Sequence, residues 1–188
     1  MFNVGEFFDR EKEFVITDMR PVRPLINYLW NESFILSVDH LGYGKSFARV
    51  TPELRRPLFS AEENTRLIYI RDSATGEFYS ANRNFSNLNF EKYECHVGLG
   101  YHTIISEYNG IRVEYTITVP ENGWAEIWRL KVKNTSAERK RFSVYMYCRP
   151  DVHCTGHLAY GSSDWSDELG GLYFHHNAFA RSEERRVG

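Results

Sequence analysis

Between residues 101 and 148 apolar and polar side chains alternate with the period of a β-strand. Val113, Tyr115, Ile117 and Val119 fall on one side of a segment whose other side is Arg112, Glu114, Thr116 and Thr118, which is the pattern of a strand with one face buried and one in water. Tyr101 to Tyr108 precedes it as a partner strand, and Asn109-Gly110 between the two supplies the positive-φ residues of a tight type I′ turn. Pro120-Glu121-Asn122-Gly123 breaks the ladder, after which Trp128, Leu130 and Val132 alternate with Arg129, Lys131 and Lys133. Beyond the polar turn Asn134 to Lys140, Phe142, Val144, Met146 and Cys148 alternate with Ser143, Tyr145 and Tyr147. Four strands in succession predict an antiparallel meander.

Upstream the pattern is shorter and more interrupted. Glu13 to Thr17, Phe34 to Val38, Lys45 to Val50, Leu67 to Arg71 and Glu77 to Ser80 read as strands bounded by Pro, Gly, Asn or Asp. No amphipathic helix competes, and aromatic residues reach 15% with many β-branched neighbours, so the composition also favours sheets. The fold class is therefore all-β, a large antiparallel β-sandwich. At 188 residues the chain holds one such core. Residues 1–180 form a single sandwich domain, incomplete at its C-terminal end because Gly171 to Phe179 still reads as strand. Arg181-Ser182-Glu183-Glu184-Arg185-Arg186-Val187-Gly188 is abruptly charged. It is also the translation of a common sequencing-adapter stretch, so 181–188 is expected to be a non-native or disordered tail, the alternative being a solvated native terminus.

Basic and acidic side chains number 23 and 25 and are interspersed, for a net charge of −2. No basic field exists to attract nucleic acid or an anionic membrane. The opening Met1-Phe2-Asn3-Val4-Gly5-Glu6 lacks the basic flank and apolar run of an export signal, and no segment approaches membrane-spanning length; a cytoplasmic location is expected. Cys95, Cys148 and Cys154 are an odd number in such a chain and are expected to be reduced.

Candidate chemistry is sparse. Gly44-Lys45-Ser46 resembles the end of a phosphate-cradling loop, but that motif needs glycine where this chain has Asp39, and a glycine-rich turn between strands accounts for it. His153, Cys154, His157, His175 and His176, with Cys148, are of metal-ligating type, yet their spacings match no zinc pattern. Cys148 continues the apolar face of its strand, which makes it a small buried hydrophobe. Asp164, Asp167 and Glu168 form the densest acidic cluster, in a stretch that reads as loop; glycoside chemistry needs such an acid, but a solvated loop is the simpler account. Trp165 and Tyr160 could stack on a sugar face, or belong to core or rim.

The segment Tyr93-Glu94-Cys95-His96-Val97-Gly98-Leu99-Gly100-Tyr101 closely resembles the Tyr-Glu-Cys-Arg-His-Gly-Leu-Gly-Tyr segment of cellobiose phosphorylases, in glycoside hydrolase family 94. Glu13-Phe14-Val15-Ile16-Thr17, Pro24-Leu25-Ile26-Asn27-Tyr28-Leu29, Asn31-Glu32, Val119-Pro120, Glu126-Ile127-Trp128 and Lys133-Asn134-Thr135-Ser136 resemble further stretches of that family in the same order. The resemblance covers nearly all of the chain to about Phe179. It implies a galactose mutarotase-like super-sandwich at the N-terminus of a larger enzyme whose helical linker and (α/α)6 barrel follow. The implied reaction is inverting phosphorolysis of a β-linked, cellobiose-like disaccharide in carbohydrate metabolism: inorganic phosphate is co-substrate, no cofactor takes part, and an aspartic acid on the barrel protonates the leaving oxygen. On that view no catalytic residue lies in this chain, and the parent enzyme is a homodimer.

Two departures bear on substrate. His96-Val97 stands where the family has Arg-His, and Leu41-Gly42-Tyr43-Gly44-Lys45-Ser46 stands for its Gly-Gly-Gly-Tyr-Ser loop. Because the family's sandwich loops reach the entrance of the barrel site, the resemblance assigns substrate-entrance roles to Tyr43, Ser46, Arg55 and Arg56; a turn and an exposed basic pair are the plain alternative. Two other functions compete, a free-standing non-catalytic carbohydrate-binding sandwich and a fragment of a cyclic β-glucan synthase.

Overall fold

The computed structural model describes residues 4–59, 66–82, 88–148, 150 and 159–178. In chain order its strands are β1 (Gly5–Phe8), β2 (Glu13–Ile16), β3 (Ile26–Trp30), β4 (Phe34–Asp39), β5 (Ser46–Arg49) and β6 (Arg55–Phe59). There follow β7 (Arg66–Asp72), β8 (Phe78–Ser80), β9 (Lys92–Gly98), β10 (Tyr101–Tyr108) and β11 (Ile111–Thr118). The last four are β12 (Ile127–Asn134), β13 (Phe142–Cys148), β14 (Ala159–Ser166) and β15 (Gly171–Ala178). Among the described residues there is no helix. A six-stranded sheet runs β1-β2-β9-β10-β11-β12, a four-stranded sheet β3-β4-β5-β6, a three-stranded sheet β13-β7-β8, and β14 pairs with β15. Every pairing is antiparallel.

The β10–β11 hairpin forms as its sequence dictates. Asn109 and Gly110 both take positive φ, 50° and 67°, and their left-handed twist lets two right-twisted strands meet without splaying. Ile111, Val113, Tyr115 and Ile117 then point inward. They meet Leu29, Phe34, Leu36 and Val38 of the four-stranded sheet and Ile68, Ile70 and Tyr79 of the three-stranded one in a single apolar cluster. Each such side chain contributes about 1.5–3 kcal/mol on leaving water, so this interface between one large sheet and two small ones is the main source of stability. A second cluster, Ile16, Tyr93, Cys95 and Ile104, lies beneath the β2–β9–β10 end.

The structure alters three expectations. β13 does not extend the meander: β12 ends the six-stranded sheet, and β13 crosses to pair with β7, Phe142 opposite Asp72 and Cys148 opposite Arg66. Cys148 is exposed rather than buried, as are Val144 and Met146, because none of the described residues covers that side of the strand. Asp164 lies within a strand, opposite Tyr173, with Asp167 and Glu168 in the turn that follows. Small polar residues hide β14 from periodicity, and backbone pairing with β15 forms it.

Candidate functional site

Asp39 closes β4, and its Oδ1 accepts hydrogen bonds from the backbone N–H of Leu41 (2.9 Å) and Tyr43 (2.8 Å). Such a carboxylate side chain mimics a turn of backbone. The turn needs its glycines. Gly42 has φ 89° and Gly44 φ 139°, and a Cβ on Gly44 would stand 2.0 Å from the Ser37 carbonyl oxygen. The loop that resembles a phosphate cradle is thus a tight connection, with no helix behind it to aim N–H groups at an anion.

Three carbonyls of this loop are held from beneath by side chains from β7, β9 and the segment after β8. Tyr93 donates its hydroxyl proton to the His40 carbonyl. Asn82 Nδ2 donates to Leu41 O (2.9 Å) and Arg66 O (2.8 Å), while its Oδ1 accepts from Ile68 N (3.0 Å). Arg66 Nη1 donates to Gly44 O (3.0 Å). Arg66 has no exposed surface. Its guanidinium grips Glu126 in a fork, Nε to Oε2 at 2.6 Å and Nη2 to Oε1 at 2.7 Å, and lies 4.6 Å from the centre of the Phe59 ring. Trp128 Nε1 donates to the same Oε2 at 2.9 Å. A buried charge pair is tolerable only when its remaining hydrogen-bonding capacity is filled in this way.

Above the anchored loop is a hollow of about 240 Å³ whose walls include Pro24, Ile26, Ser37, Tyr43, Gly44 and Lys45. Of the residues assigned to a substrate entrance, Tyr43 forms part of this wall. Ser46 has no exposed surface, its hydroxyl enclosed at the head of β5. Arg55 and Arg56 lie on β6 beside the far end of β5, opposite Arg49 and Ala48. Both are exposed, but only Arg55 lines a second hollow, of about 170 Å³, together with Trp30, Glu32, Ile35, Phe47 and Arg49. The four residues therefore do not converge.

The Tyr93–Tyr101 segment proves two-sided. Its inner face carries Tyr93 and Cys95, whose Sγ is 3.4 Å from Nε2 of buried His102. On its outer face His96 sits between two carboxylates, Nδ1 to Glu13 Oε1 at 2.8 Å and Nε2 to Glu94 Oε2 at 3.2 Å. Tyr101 donates to Glu13 Oε2 at 2.6 Å, and this bond to a carboxylate pushes the phenol up to about 12. Burial pushes the Glu13 carboxyl up, but the Tyr101 and His96 hydrogen bonds outweigh it and leave the group below its ordinary value; Glu94 is likewise lowered by Lys92 and His96 against its burial. Carboxylates held ionised in this way suit ion pairing and not proton donation.

Of the proposed metal ligands, His153, Cys154 and His157 lie outside the described residues, and His175 and His176, like Tyr160, are described only as backbone. Among the described residues no three His, Cys, Asp or Glu side chains converge on a metal position. Trp165 is exposed and donates from Nε1 to Asp167 Oδ1 at 2.9 Å. Sequence reasoning missed Arg66, Asn82 and Glu126 as organisers of the loop. The signal was present: Arg66 and Glu126 are charges of opposite sign, each immediately preceding an apolar strand segment.

The "Glycosyl hydrolase 94, supersandwich domain" family model matches residues 12–187. The chain is 31% identical over 153 residues to a solabiose phosphorylase of Paenibacillus borealis, covering 78% of this chain and 20% of that protein. It is 33% identical over 150 residues to an N,N'-diacetylchitobiose phosphorylase of Vibrio furnissii, covering 76% of this chain and 19% of that protein. The cyclic beta-(1,2)-glucan synthase NdvB of Rhizobium meliloti is 26% identical over 129 residues, 66% of this chain and 5% of the synthase. The chain spans about a fifth of the length of the phosphorylases it matches. With an all-antiparallel sandwich and a family match over nearly its whole length, the chain belongs to the glycoside hydrolase 94 supersandwich family.

Proposed function

We propose that this chain is the sandwich portion of an inverting phosphorylase of β-linked disaccharides. In that enzyme phosphate attacks the anomeric carbon while an acid on another domain protonates the leaving oxygen. The sandwich itself frames the substrate entrance and contacts a second subunit of a cytoplasmic homodimer. The anchored loop between β4 and β5 carries this reading. Its carbonyls at His40, Leu41 and Gly44 are fixed by buried Tyr93, Asn82 and Arg66, and a loop held so firmly beside a hollow can position a substrate without reorganisation. Tyr43 supplies the wall of the entrance, Ser46 packs buried at the end of the loop, and Arg55 and Arg56 offer cationic contacts at a separate place, opposite the far end of β5. The lowered carboxyls of Glu13 and Glu94 fit a chain that leaves general-acid work elsewhere. Phosphorolysis is preferred to glucan synthesis because relatives at 31–33% identity are phosphorylases and the synthase stands at 26%.

A chimera tests the proposal. Residues 12–180 replace the matching region of the Vibrio furnissii phosphorylase, and phosphate-dependent release of sugar phosphate is measured. The expected chimera turns over, Tyr43→Ala in it raises KM more than it lowers kcat, and the present chain alone releases nothing from cellobiose and phosphate. A folded but inactive chimera, or turnover by this chain alone, overturns the reading.

A further inference from the structure

The outer face of the four-stranded sheet carries a group of side chains that the fold does not require. Alternation sends Leu29 of β3 into the core and turns Ile26, Tyr28 and Trp30 outward. Tyr28 is 59% exposed and Trp30 71%, a poor arrangement for rings that gain free energy by leaving water. Trp30 stands opposite Ile35, and Ile35 opposite Phe47, so the indole has an apolar floor beside it. Next on the same face of β5, past Ala48, is Arg49, directly across from Arg55 of β6. Residues directly opposite in an antiparallel pair share a face, and like charges there repel. Neither arginine makes an ion pair among the described residues. Arg56, the next residue along β6, alternates to the other side.

Trp30, Ile35, Phe47, Arg49, Arg55 and Glu32 line one hollow of about 170 Å³. A neutral sugar would use the indole and leave the two guanidinium groups repelling each other. A bare phosphate would use the guanidinium groups and leave the indole in water. A sugar phosphate satisfies both. We propose that this hollow binds a sugar phosphate, with the apolar face of the pyranose on Trp30, the phosphate oxygens bridged by Arg49 and Arg55, and Glu32 accepting from a ring hydroxyl. Guanidinium forks match phosphate geometry, and two of them on adjacent strands hold the dianion without an enclosing loop. The assignment gives Arg55 a ligand class, and it rests on the phosphorylase reading only for the ligand's source, since phosphorolysis generates a glycosyl phosphate.

The test is isothermal titration of the 188-residue chain with glucose 1-phosphate, inorganic phosphate and cellobiose in separate runs. Glucose 1-phosphate is expected to saturate one site, with phosphate and cellobiose at least about tenfold weaker, because each lacks one of the two interactions. Arg49→Gln and Arg55→Gln are each expected to weaken the sugar phosphate by about tenfold, Trp30→Ala to weaken both glucose 1-phosphate and cellobiose, and Arg129→Gln on β12 to change nothing. All four side chains are exposed, so matching melting curves will show that the variants fold. No saturable binding overturns the proposal. So does equal binding of phosphate, which marks a bare anion site, or equal binding of cellobiose with both arginine variants unaffected, which marks a neutral sugar surface. An inactive chimera alongside intact glucose 1-phosphate binding would sink the phosphorylase reading and leave this site standing; the reverse result would do the opposite.

Discussion

β11 and β13 have nearly the same pattern and opposite fates. In β11 Ile111, Val113, Tyr115 and Ile117 are all buried. In β13 Val144 and Met146 are exposed, and so are Tyr145 and Tyr147 on the other side. The difference lies in what stands opposite. β11 is central in its sheet, flanked by β10 and β12, and faces two smaller sheets across the core. Among the described residues β13 is an edge strand, paired only with β7. Alternation therefore records which side chains share a face, and burial depends on whether another layer arrives to cover that face. The molecule has a closed half, built on β1 to β12, and an open one in β13 to β15.

The closed half is most easily broken at Arg66. Its guanidinium holds Glu126, the Gly44 carbonyl and the Phe59 ring without contact with water. Arg66→Ala strands a buried carboxylate and frees the loop carbonyl, and is expected to cost about 3–5 kcal/mol, as losses from buried pairs do. Urea denaturation will measure it. Arg66→Met with Glu126→Leu is expected to recover much of that loss while leaving the loop around Gly44 less protected in hydrogen exchange. If the single variant loses under about 1 kcal/mol, the pair behaves as a surface pair and the loop is not anchored by it.

A matched pair of truncations sharpens the contrast between the strands. Ile117→Ala empties part of the main cluster and is expected to cost about 2–5 kcal/mol. Val144→Ala removes exposed atoms from β13 and is expected to stay within about 0.5 kcal/mol. Comparable losses at the two positions would mean that β13 is covered in solution.

These contrasts mark how far the sequence could be read. Turn chemistry and strict alternation placed β10, β11, β12 and β13 within a residue or two, because Asn109-Gly110 and the 111–118 pattern act locally. β3 was not recognised as a strand because its large apolar residues Ile26, Tyr28 and Trp30 lie on the solvent side. β6 was hidden by Pro57, which is tolerated because β6 is an edge. The crossing of β13 to β7 is a long-range pairing that no local pattern encodes. At the candidate site the glycine loop and Tyr43 were legible through family resemblance. The pairing of Arg49 with Arg55 was not, since it depends on a register shift between Ser46 and Phe47.

The smallest effect expected is a pH slope, and it tests whether the closed half is sealed. His102 of β10 has no exposed surface. Burial, only partly offset by a hydrogen bond with the Asp39 backbone, lowers its pKa from 6.5 to about 3. The unfolded chain takes up this proton as pH falls below 6.5, and the folded chain does not. Its contribution is therefore complete above pH 6.5 and is lost progressively as pH falls toward 3, at no more than about 1.4 kcal/mol per pH unit for one proton. Glu13 and Glu94 have lowered pKa values too, but their losses begin only as pH falls through the ordinary carboxylate range near 4.5. The window from pH 6.5 to 5 thus reports on histidines and excludes these carboxylates. Stability from urea denaturation is expected to fall by about 1 kcal/mol between pH 6.5 and 5.5, and His102→Asn should flatten that slope whatever it does to absolute stability. Equal slopes for wild type and His102→Asn between pH 6.5 and 5 would show that His102 takes up its proton in the folded state as it does in the unfolded one, which requires water to reach the inner face of β10.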